Sequence, residues 1–274
     1  MWLYRESPSP LKRLPPSPLP SPLLGGSNAC SYFQLHGLFE DSGSHKNAHQ
    51  HARPCILCAP HCSTDAALTD LHFYRPAEGH GLAHDPFKAI VAPRPIGWIG
   101  SVSADGVRNL APYSFFNAFG DTPPLIGFSS SGWKDSVRNV QATGVFTWNL
   151  ATAAQAEQMN RSSAPFAPEV DEFERAGLQA LPGRVVDAPF VAGTPAAFEC
   201  RLTQLIQLTD AAGQALPQWL VLGEVVGVHI DRRFLVDGVY DTAAAAPILR
   251  AGGPGAYARI TPEAMFDLRR PTQV

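Results

Sequence analysis

Residues 94–117 have the sequence RPIGWIGSVSADGVRNLAPYSFFN, and this stretch decides the expected fold. The apolar run at 96–103 has the length and composition of a β-strand. Asp105-Gly106 follows it, and an Asp-Gly pair beside an apolar run is a strong signal for a hairpin turn. Residues 108–114 would then form the returning strand. The stretch therefore predicts an antiparallel β-hairpin.

Four more strand-like runs lie downstream of this hairpin. They occupy residues 125–130, 145–149, 197–208 and 219–230. The first begins after Pro123-Pro124, where proline removes no hydrogen bond from within the strand. The last two are joined by the loop TDAAG at 209–213, which is typical of a hairpin. About six antiparallel strands are therefore expected, and their closure into a small barrel would remove exposed strand edges.

Short helices are predicted between these strands, over residues 136–143, 152–159 and 171–176. The first has Asp135 or Ser136 as its N-cap and Gly144 as its C-terminal stop. Thr152 and Gln155 have the spacing of a capping box for the second. Because no Gly-x-Gly-x-x-Gly motif follows a strand, a doubly wound dinucleotide-binding fold is not supported. The sequence predicts one mainly β domain over residues 72–274.

The composition of the chain excludes several classes of protein. It has 274 residues, of which 45% are hydrophobic and 16% charged, so it can bury a sizeable core. The formal net charge of −3 gives no electrostatic footprint for nucleic acid. No apolar run reaches the roughly 18 residues of a membrane span, and prolines interrupt the region where a signal peptide would lie. A cytoplasmic protein without membrane association or structural disulfides is expected.

Residues 1–65 differ in composition from the rest of the chain. Seven prolines lie between Pro8 and Pro22, which favours an extended, disordered segment that could dock an SH3- or WW-like partner. Cys55, Cys58, His61 and Cys62 are potential zinc ligands. Zinc sites, however, usually separate two ligand pairs by about a dozen residues or more. We therefore expect a disordered extension without a metal site.

Three polar and aromatic clusters are candidates for a ligand site, at residues 94–101, 109–117 and 129–139. The third contains serine hydroxyls, Lys134 and the start of a predicted helix. Hydroxyls, a cation and the unpaired N–H groups of a helix N-terminus favour phosphate. Aromatic and small polar residues in the other two clusters suit a flat ring with amide-like edges. Together they predict a site for a phosphorylated aromatic ligand.

Several of these residues also have a purely structural interpretation. Trp98, Trp133 and Trp148 are more often core residues than cofactor contacts, and Cys200 is expected to be a small buried residue. Arg94 could equally contact a phosphate or lie at the surface. His229 could equally be a site residue or a structural residue. The acidic residues of the 171–176 helix are expected to form its solvated face; they are Asp171, Glu172 and Glu174.

The order and spacing of the motifs resemble the flavin reductase-like family, over residues 85–270. The motifs are RPIGWI at 94–99, NLAPYSFFN at 109–117, PPLIGFSS at 123–130, KDSxRN at 134–139, MNRSSAP at 159–165, DEF at 171–173, ECRL at 199–202 and GEVVGVHI at 223–230. The most similar subgroup contains the reductase component of nitrilotriacetate monooxygenase. The resemblance implies a six-stranded antiparallel Greek-key split barrel that binds FMN in a groove at a homodimer interface.

The resemblance also implies which positions contact FMN. Positions along the isoalloxazine ring and ribityl chain, in contact largely through backbone groups, would be Ile96, Gly97, Trp98, Ser101, Ala111, Pro112, Tyr113, Ser114, Phe115 and Asn117. Positions near the phosphate would be Ser129, Ser130, Lys134 and Ser136, with His229 and Tyr257 approaching from later in the chain. Gly100 stands where the family often has a hydroxyl, so Ser101 would supply that contact. The chain also departs from the family by an extra Pro254-Gly255 just before Tyr257.

The implied activity is hydride transfer from NADH or NADPH to flavin, with reduced flavin passed to a partner monooxygenase. Such chemistry needs two rings held in contact more than it needs acid–base residues, because the cofactor carries the reaction. No catalytic side chain is therefore predicted. A non-enzymatic flavin carrier with the same fold remains an alternative. The choices between NADH and NADPH and between FMN and FAD also stay open.

Overall fold

The computed structural model describes residues 70–272, and the zinc and proline-rich hypotheses for residues 1–65 fall outside this range. The described chain is mainly β. Its strands are β1 (Arg94–Pro95), β2 (Gly97–Val102), β3 (Arg108–Tyr113), β4 (Phe116–Asp121), β5 (Pro124–Ser131), β6 (Val145–Asn149), β7 (Ala180–Pro182), β8 (Pro189–Val191), β9 (Ala196–Thr209), β10 (Ala215–Ile230), β11 (Leu235–Val236), β12 (Val239–Tyr240), β13 (Ile248–Gly252) and β14 (Ala256–Arg259).

The helices are short. The α-helices are α1 (Phe87–Ile90), α2 (Asp135–Thr143), α3 (Ala156–Arg161) and α4 (Glu172–Arg175), and single 3₁₀ turns cover Pro76–Glu78, Ala153–Gln155, Arg232–Phe234 and Pro262–Ala264. Within residues 70–272, no helix has both the length and the apolar composition needed to cross a bilayer.

Seven antiparallel strands form the central sheet, in the order β3-β2-β6-β9-β10-β5-β4. The sheet curls so that Tyr113 of β3 meets Phe128 of β5, with 4.7 Å between the ring centroids. The edge strands β3 and β4 do not pair with each other in the described chain, so the barrel is split. This confirms the predicted mainly β split barrel. The central sheet has one strand more than the six or so that were expected, and the additional strand is β4. Its sequence has no apolar pattern typical of a buried strand, because residues 117–121 are all exposed.

The hydrophobic core has two parts that share β2. Successive side chains of a strand point to opposite faces, so Ile99 packs inside the barrel while Trp98 packs outside it. The inner part includes Phe128, Phe146 and Val221. The outer part includes Leu110, Met159, Phe173 and Val191, beneath the short helices. Both faces of β2 are therefore buried, which fits its nearly continuous apolar sequence.

The predicted turns are confirmed, but two of the predicted helix caps are wrong. Gly106 in the β2–β3 turn has φ 85°, and Gly144 ends α2 with φ 73°, the left-handed region that favours glycine. The N-cap of α2 is Lys134, not Asp135 or Ser136, and no side chain caps it. No capping box forms at Thr152, because a 3₁₀ turn precedes α3. Gln155 Nε2 instead donates a hydrogen bond to the carbonyl oxygen of Ala192.

Candidate functional site

A groove of about 550 Å³ lies between β3, the start of α2 and the loop that follows α3. Its lining residues are Lys88, Asn109, Ala111, Pro112, Tyr113, Ser114, Phe115, Ser129, Ser131, Lys134, Asp135, Ser136, Ser162, Ser163, Ala164, Pro165, Phe166, Pro168 and Glu172. The groove therefore combines the predicted aromatic cluster with the predicted phosphate cluster.

Half of the residues predicted to contact FMN line this groove. They are Ala111, Pro112, Tyr113, Ser114, Phe115, Ser129, Lys134 and Ser136. The chain brings these residues together at two places. The link at 114–115 directly follows β3, and the short turn at 132–134 joins β5 to α2. Their direct contact with FMN stays a prediction, but their convergence on one groove agrees with it.

One end of the groove is suited to an anion. Lys134, Asp135 and Ser136 begin α2, and the helix has no side-chain N-cap. The first N–H groups of a helix have no intrahelical partner, and the helix dipole adds partial positive charge there. The hydroxyls of Ser129 and Ser136 and the Lys134 ammonium group lie at the same end. These residues fit a phosphate group, and we call them the phosphate end.

A buried polar network supports the phosphate end from beneath. The Asn109 Nδ2 group donates to Ser136 Oγ at 3.0 Å and to Ser101 Oγ at 3.1 Å. Burial raises the pKa of Tyr113, although its bonds with Ser136 and Ser130 act in the opposite direction. Tyr113 is therefore a neutral phenol in the wall of the groove.

The predicted contacts at Ile96 and on β2 do not line the groove. Ile96 and Trp98 belong to the outer core, and Trp98 Nε1 donates to Ser162 Oγ at 3.0 Å. Ser101 is fully buried in the network beneath the groove. At Gly97, a Cβ atom would lie 2.7 Å from the Phe116 ring, so close packing accounts for this glycine. The structure thus gives these four residues a supporting position.

Four further predicted contacts also lie outside the groove lining. Asn117 is on the exposed strand β4, and the Ser130 hydroxyl is buried and donates to the Gly132 carbonyl oxygen at 2.9 Å. Tyr257 lines a separate cavity of about 260 Å³ and packs over the guanidinium group of Arg250. His229 stacks on Phe190, with 4.4 Å between the ring centroids. Of the two interpretations of His229, the described contacts favour the structural one.

Arg94 likewise has a structural position. It is buried, and its guanidinium group donates to the backbone carbonyl oxygens of Ser114, Lys88 and Val91. The surface interpretation is therefore wrong, and these bonds hold it beneath two residues that line the groove, Lys88 and Ser114. Trp148 and Cys200 are buried, as predicted, but the core interpretation is wrong for Trp133, which is 40% exposed. Burial raises the pKa of the Cys200 thiol, which makes it unreactive.

Glu172 is the largest departure from the expected site. The sequence predicted a solvated helix face, but Glu172 is only 6% exposed and lines the groove. Its Oε2 accepts the backbone N–H of Leu110 at 3.2 Å. Burial raises its pKa to about 7, with a further contribution from the nearby charges of Asp135 and Asp171 and an opposing one from backbone N–H groups. Glu174 is exposed, as expected.

Replacing Glu172 with glutamine is expected to stabilise the protein at alkaline pH. Because the pKa rises on folding from 4.5 to about 7, folding stability falls as pH rises through this interval. The amide keeps an acceptor for Leu110 but carries no charge. We expect E172Q to match the wild type at pH 4.5 and to be more stable by about 1–3 kcal/mol at pH 8. Urea denaturation at both pH values would measure this; equal stability at pH 8 would contradict it.

A second cleft, of about 630 Å³, is lined by Val102, Gly106, Arg108 and residues 180–189. It contains none of the residues predicted to contact FMN. The N–H groups of its 184–186 segment already donate to the buried carboxylate of Glu199, at 2.7–2.9 Å. Arg108 is also paired, with Asp171 and Glu174. The cleft is therefore a poorer candidate for an anionic ligand than the groove.

Gly100 has a steric explanation. A Cβ atom there would overlap the carbonyl oxygen of Pro189 and Oγ1 of Thr147. We expect G100S to lower stability by about 1–3 kcal/mol through overpacking. Thermal unfolding would measure this, with A104S in the exposed β2–β3 turn as the control. An unchanged midpoint for G100S would contradict overpacking and would mean that the backbone of β8 can move away from the added side chain.

Several residues that line the groove were not predicted from the sequence. Asn109 and residues 162–165 lie within motifs quoted for the resemblance, so their motif positions were a usable signal. Glu172 lies in the DEF motif, but its flanking acidic residues suggested solvent exposure instead. Lys88 gave no signal, since α1 is only four residues long. It reaches the groove because the α1 segment is held by Arg94.

Comparison with models of known protein families shows which family the chain belongs to. The model of the flavin reductase like domain matches residues 91–244. The chain belongs to this family. An uncharacterised protein of Deinococcus radiodurans is 35% identical over 202 residues, which cover 69% of this chain and 86% of the relative. The family assignment agrees with the resemblance carried by the motifs.

Solved structures of this family share the fold. Nitrilotriacetate monooxygenase component B from Bacillus cereus is 29% identical, with a TM-score of 0.65, over 72% of this chain and 98% of its own. A putative flavin reductase with a split barrel domain from Shewanella frigidimarina is 24% identical, with a TM-score of 0.61, over 74% of this chain and 100% of its own. Both alignments span almost the whole of the compared structures.

Proposed function

We propose that this protein is an FMN-dependent flavin reductase that uses NADH or NADPH as hydride donor, with residues 72–274 as its flavin-binding domain. One observation supports the proposal most strongly: the hydroxyls, the lysine and the uncapped helix of the phosphate end line the same groove as Tyr113 of β3 and the nearby Phe115. Membership in the flavin reductase-like family supports flavin as the ligand of this groove.

The phosphate end would hold the FMN phosphate. Lys134 supplies charge, Ser129 and Ser136 supply hydroxyls, and the first turn of α2 supplies N–H groups. The backbone of residues 111–115 and the ring of Tyr113 would orient the isoalloxazine ring. When bound, the flavin supplies the redox chemistry, by accepting a hydride. The protein's part is to bind and orient, so a groove without a catalytic dyad is sufficient.

We also propose that the protein is a homodimer and that a monooxygenase receives its reduced flavin. The resemblance to the family implies a flavin groove at a dimer interface, which supports the first proposal. The name of the Bacillus cereus relative, a component of a monooxygenase, supports the second proposal. Size-exclusion chromatography with light scattering would test the dimer. A monomeric mass at micromolar concentration would contradict it.

A non-enzymatic flavin carrier with the same groove is the competing function. The two differ in whether a nicotinamide nucleotide reduces the flavin. The test is steady-state oxidation of NADH and of NADPH by the full-length protein, with FMN, FAD or riboflavin as acceptor. Turnover with free flavin in excess supports the reductase. Tight flavin binding without nucleotide oxidation would favour the carrier.

A further inference from the structure

The Glu172 carboxyl group has little to stabilise its charge. It is 6% exposed and lies in the groove wall, and its Oε2 accepts the N–H of Leu110. None of the ion pairs within residues 70–272 involves Glu172, and the hydrogen bonds that lower its pKa come from the backbone N–H groups of Glu172 itself and Leu110. A buried carboxylate without a cationic partner is costly, so such a group keeps its proton more readily.

Glu172 faces the same polar residues as the phosphate end. Asp135 of α2 and Asp171 raise the pKa of Glu172, and both Asp135 and Glu172 raise that of Tyr113 on β3. Tyr113 in turn bonds Ser136, a member of the phosphate end. Of the nearby cations, Lys134 and Lys88 line the groove, while Arg108 is paired with Asp171 and Glu174. Negative charge therefore already surrounds Glu172 before any ligand is added.

We propose that Glu172 is a positioning and affinity-setting residue for the ligand phosphate, which the groove binds with the Glu172 carboxyl group protonated. Phosphate binding is then coupled to uptake of a proton at Glu172. This inference rests on the proposed function, because it takes the phosphate of FMN as the ligand. Its physical basis is that an ionised Glu172, buried in the groove wall, would repel a phosphate dianion bound in the same groove.

The coupling predicts how affinity changes with pH. The pKa of Glu172 in the free protein is about 7, so the carboxyl group is largely ionised at pH 8. The second ionisation of a phosphate ester lies near pH 6. At pH 8, FMN is therefore already a dianion, and its phosphate takes up no proton itself. Above pH 7, the Kd for FMN should rise by up to about tenfold per pH unit in the wild type. It should stay nearly constant in E172Q.

The experiment is calorimetric titration of the full-length protein with FMN at pH 8, in two buffers of different ionisation enthalpy. The difference in heat gives the number of protons taken up on binding. For the wild type we expect at least about half a proton per FMN. For E172Q we expect none, together with tighter binding than the wild type at pH 8. E174Q removes an exposed carboxylate from the same helix and should behave like the wild type.

The outcomes separate this inference from the proposed function. Equal proton uptake in wild type and E172Q, with both proteins binding FMN, would overturn the role of Glu172 and leave the flavin site intact. Failure of the wild type to bind FMN would overturn the proposed function and this inference with it. If E172Q does not fold, the wild type alone decides, since zero proton uptake at pH 8 contradicts the coupling.

Discussion

Replacing Lys134 with alanine is expected to weaken FMN binding by about 10- to 150-fold, because a charge-assisted bond contributes roughly 1.5–3 kcal/mol. Lys134 is the N-cap of α2 and lines the groove next to the first turn of the helix. Removing the ammonium group leaves the N–H groups and the serine hydroxyls. Binding should therefore weaken without being abolished. Fluorescence titration with FMN measures the change.

Riboflavin provides the internal control for K134A, because it has the flavin ring but no phosphate. Its affinity should differ little between wild type and K134A. R161A is the matched protein control, since it removes an exposed cation that does not line the groove. An equal loss of FMN and riboflavin affinity in K134A would place Lys134 near the ring or in the scaffold. The phosphate assignment would then be wrong.

Replacing Glu199 with alanine is expected to destabilise the domain by about 3–5 kcal/mol, because it leaves several buried donors without an acceptor. Glu199 is 1% exposed, and its oxygens accept the N–H groups of residues 184–186. His229 Nε2 lies 2.6 Å from Oε1, and it donates because an ionised carboxylate can only accept. Urea denaturation at pH 7 measures the loss.

The pH dependence gives a second test of Glu199. Burial acts to raise its pKa, but the backbone N–H groups and His229 outweigh burial and lower the pKa to about 2. Since the unfolded value is 4.5, the stabilisation is fully present above about pH 4.5 and is lost as pH falls through about 2. The difference in stability between wild type and E199Q should shrink over this interval. A difference that stays constant from pH 6 to 2 would contradict this assignment.

Most of the fold was predictable because its strands carry local signals. The Asp-Gly turn and the apolar runs around it located β2 and β3, and β6 occupies the predicted residues 145–149. The edge strand β4 could not be found in this way. It pairs with β5 through its backbone, while its side chains from 117 to 121 remain exposed. Pairing of this kind depends on the neighbouring strand and leaves no alternating pattern in the sequence.

The site was predictable in part, for a related reason. Residues that contribute to the groove through their own loop, such as Lys134 and Ser136, could be recognised from the local pattern. The burial of Glu172 could not, because it depends on the packing of α4 against β3, more than sixty residues earlier in the chain. Trp98 and Ser101 were predicted from the resemblance to the family. Their side chains lie in the core and beneath the groove, and their contact with FMN stays a prediction.

The most direct test of the central claim is an absorbance spectrum of the full-length protein after incubation with FMN and removal of free flavin. NADH or NADPH is then added without oxygen. We expect retained flavin whose absorbance near 450 nm is bleached within seconds by at least one of the two nucleotides, a property that the cofactor supplies. Protein that retains no flavin, even after incubation with saturating FMN, would contradict a flavin site in the groove.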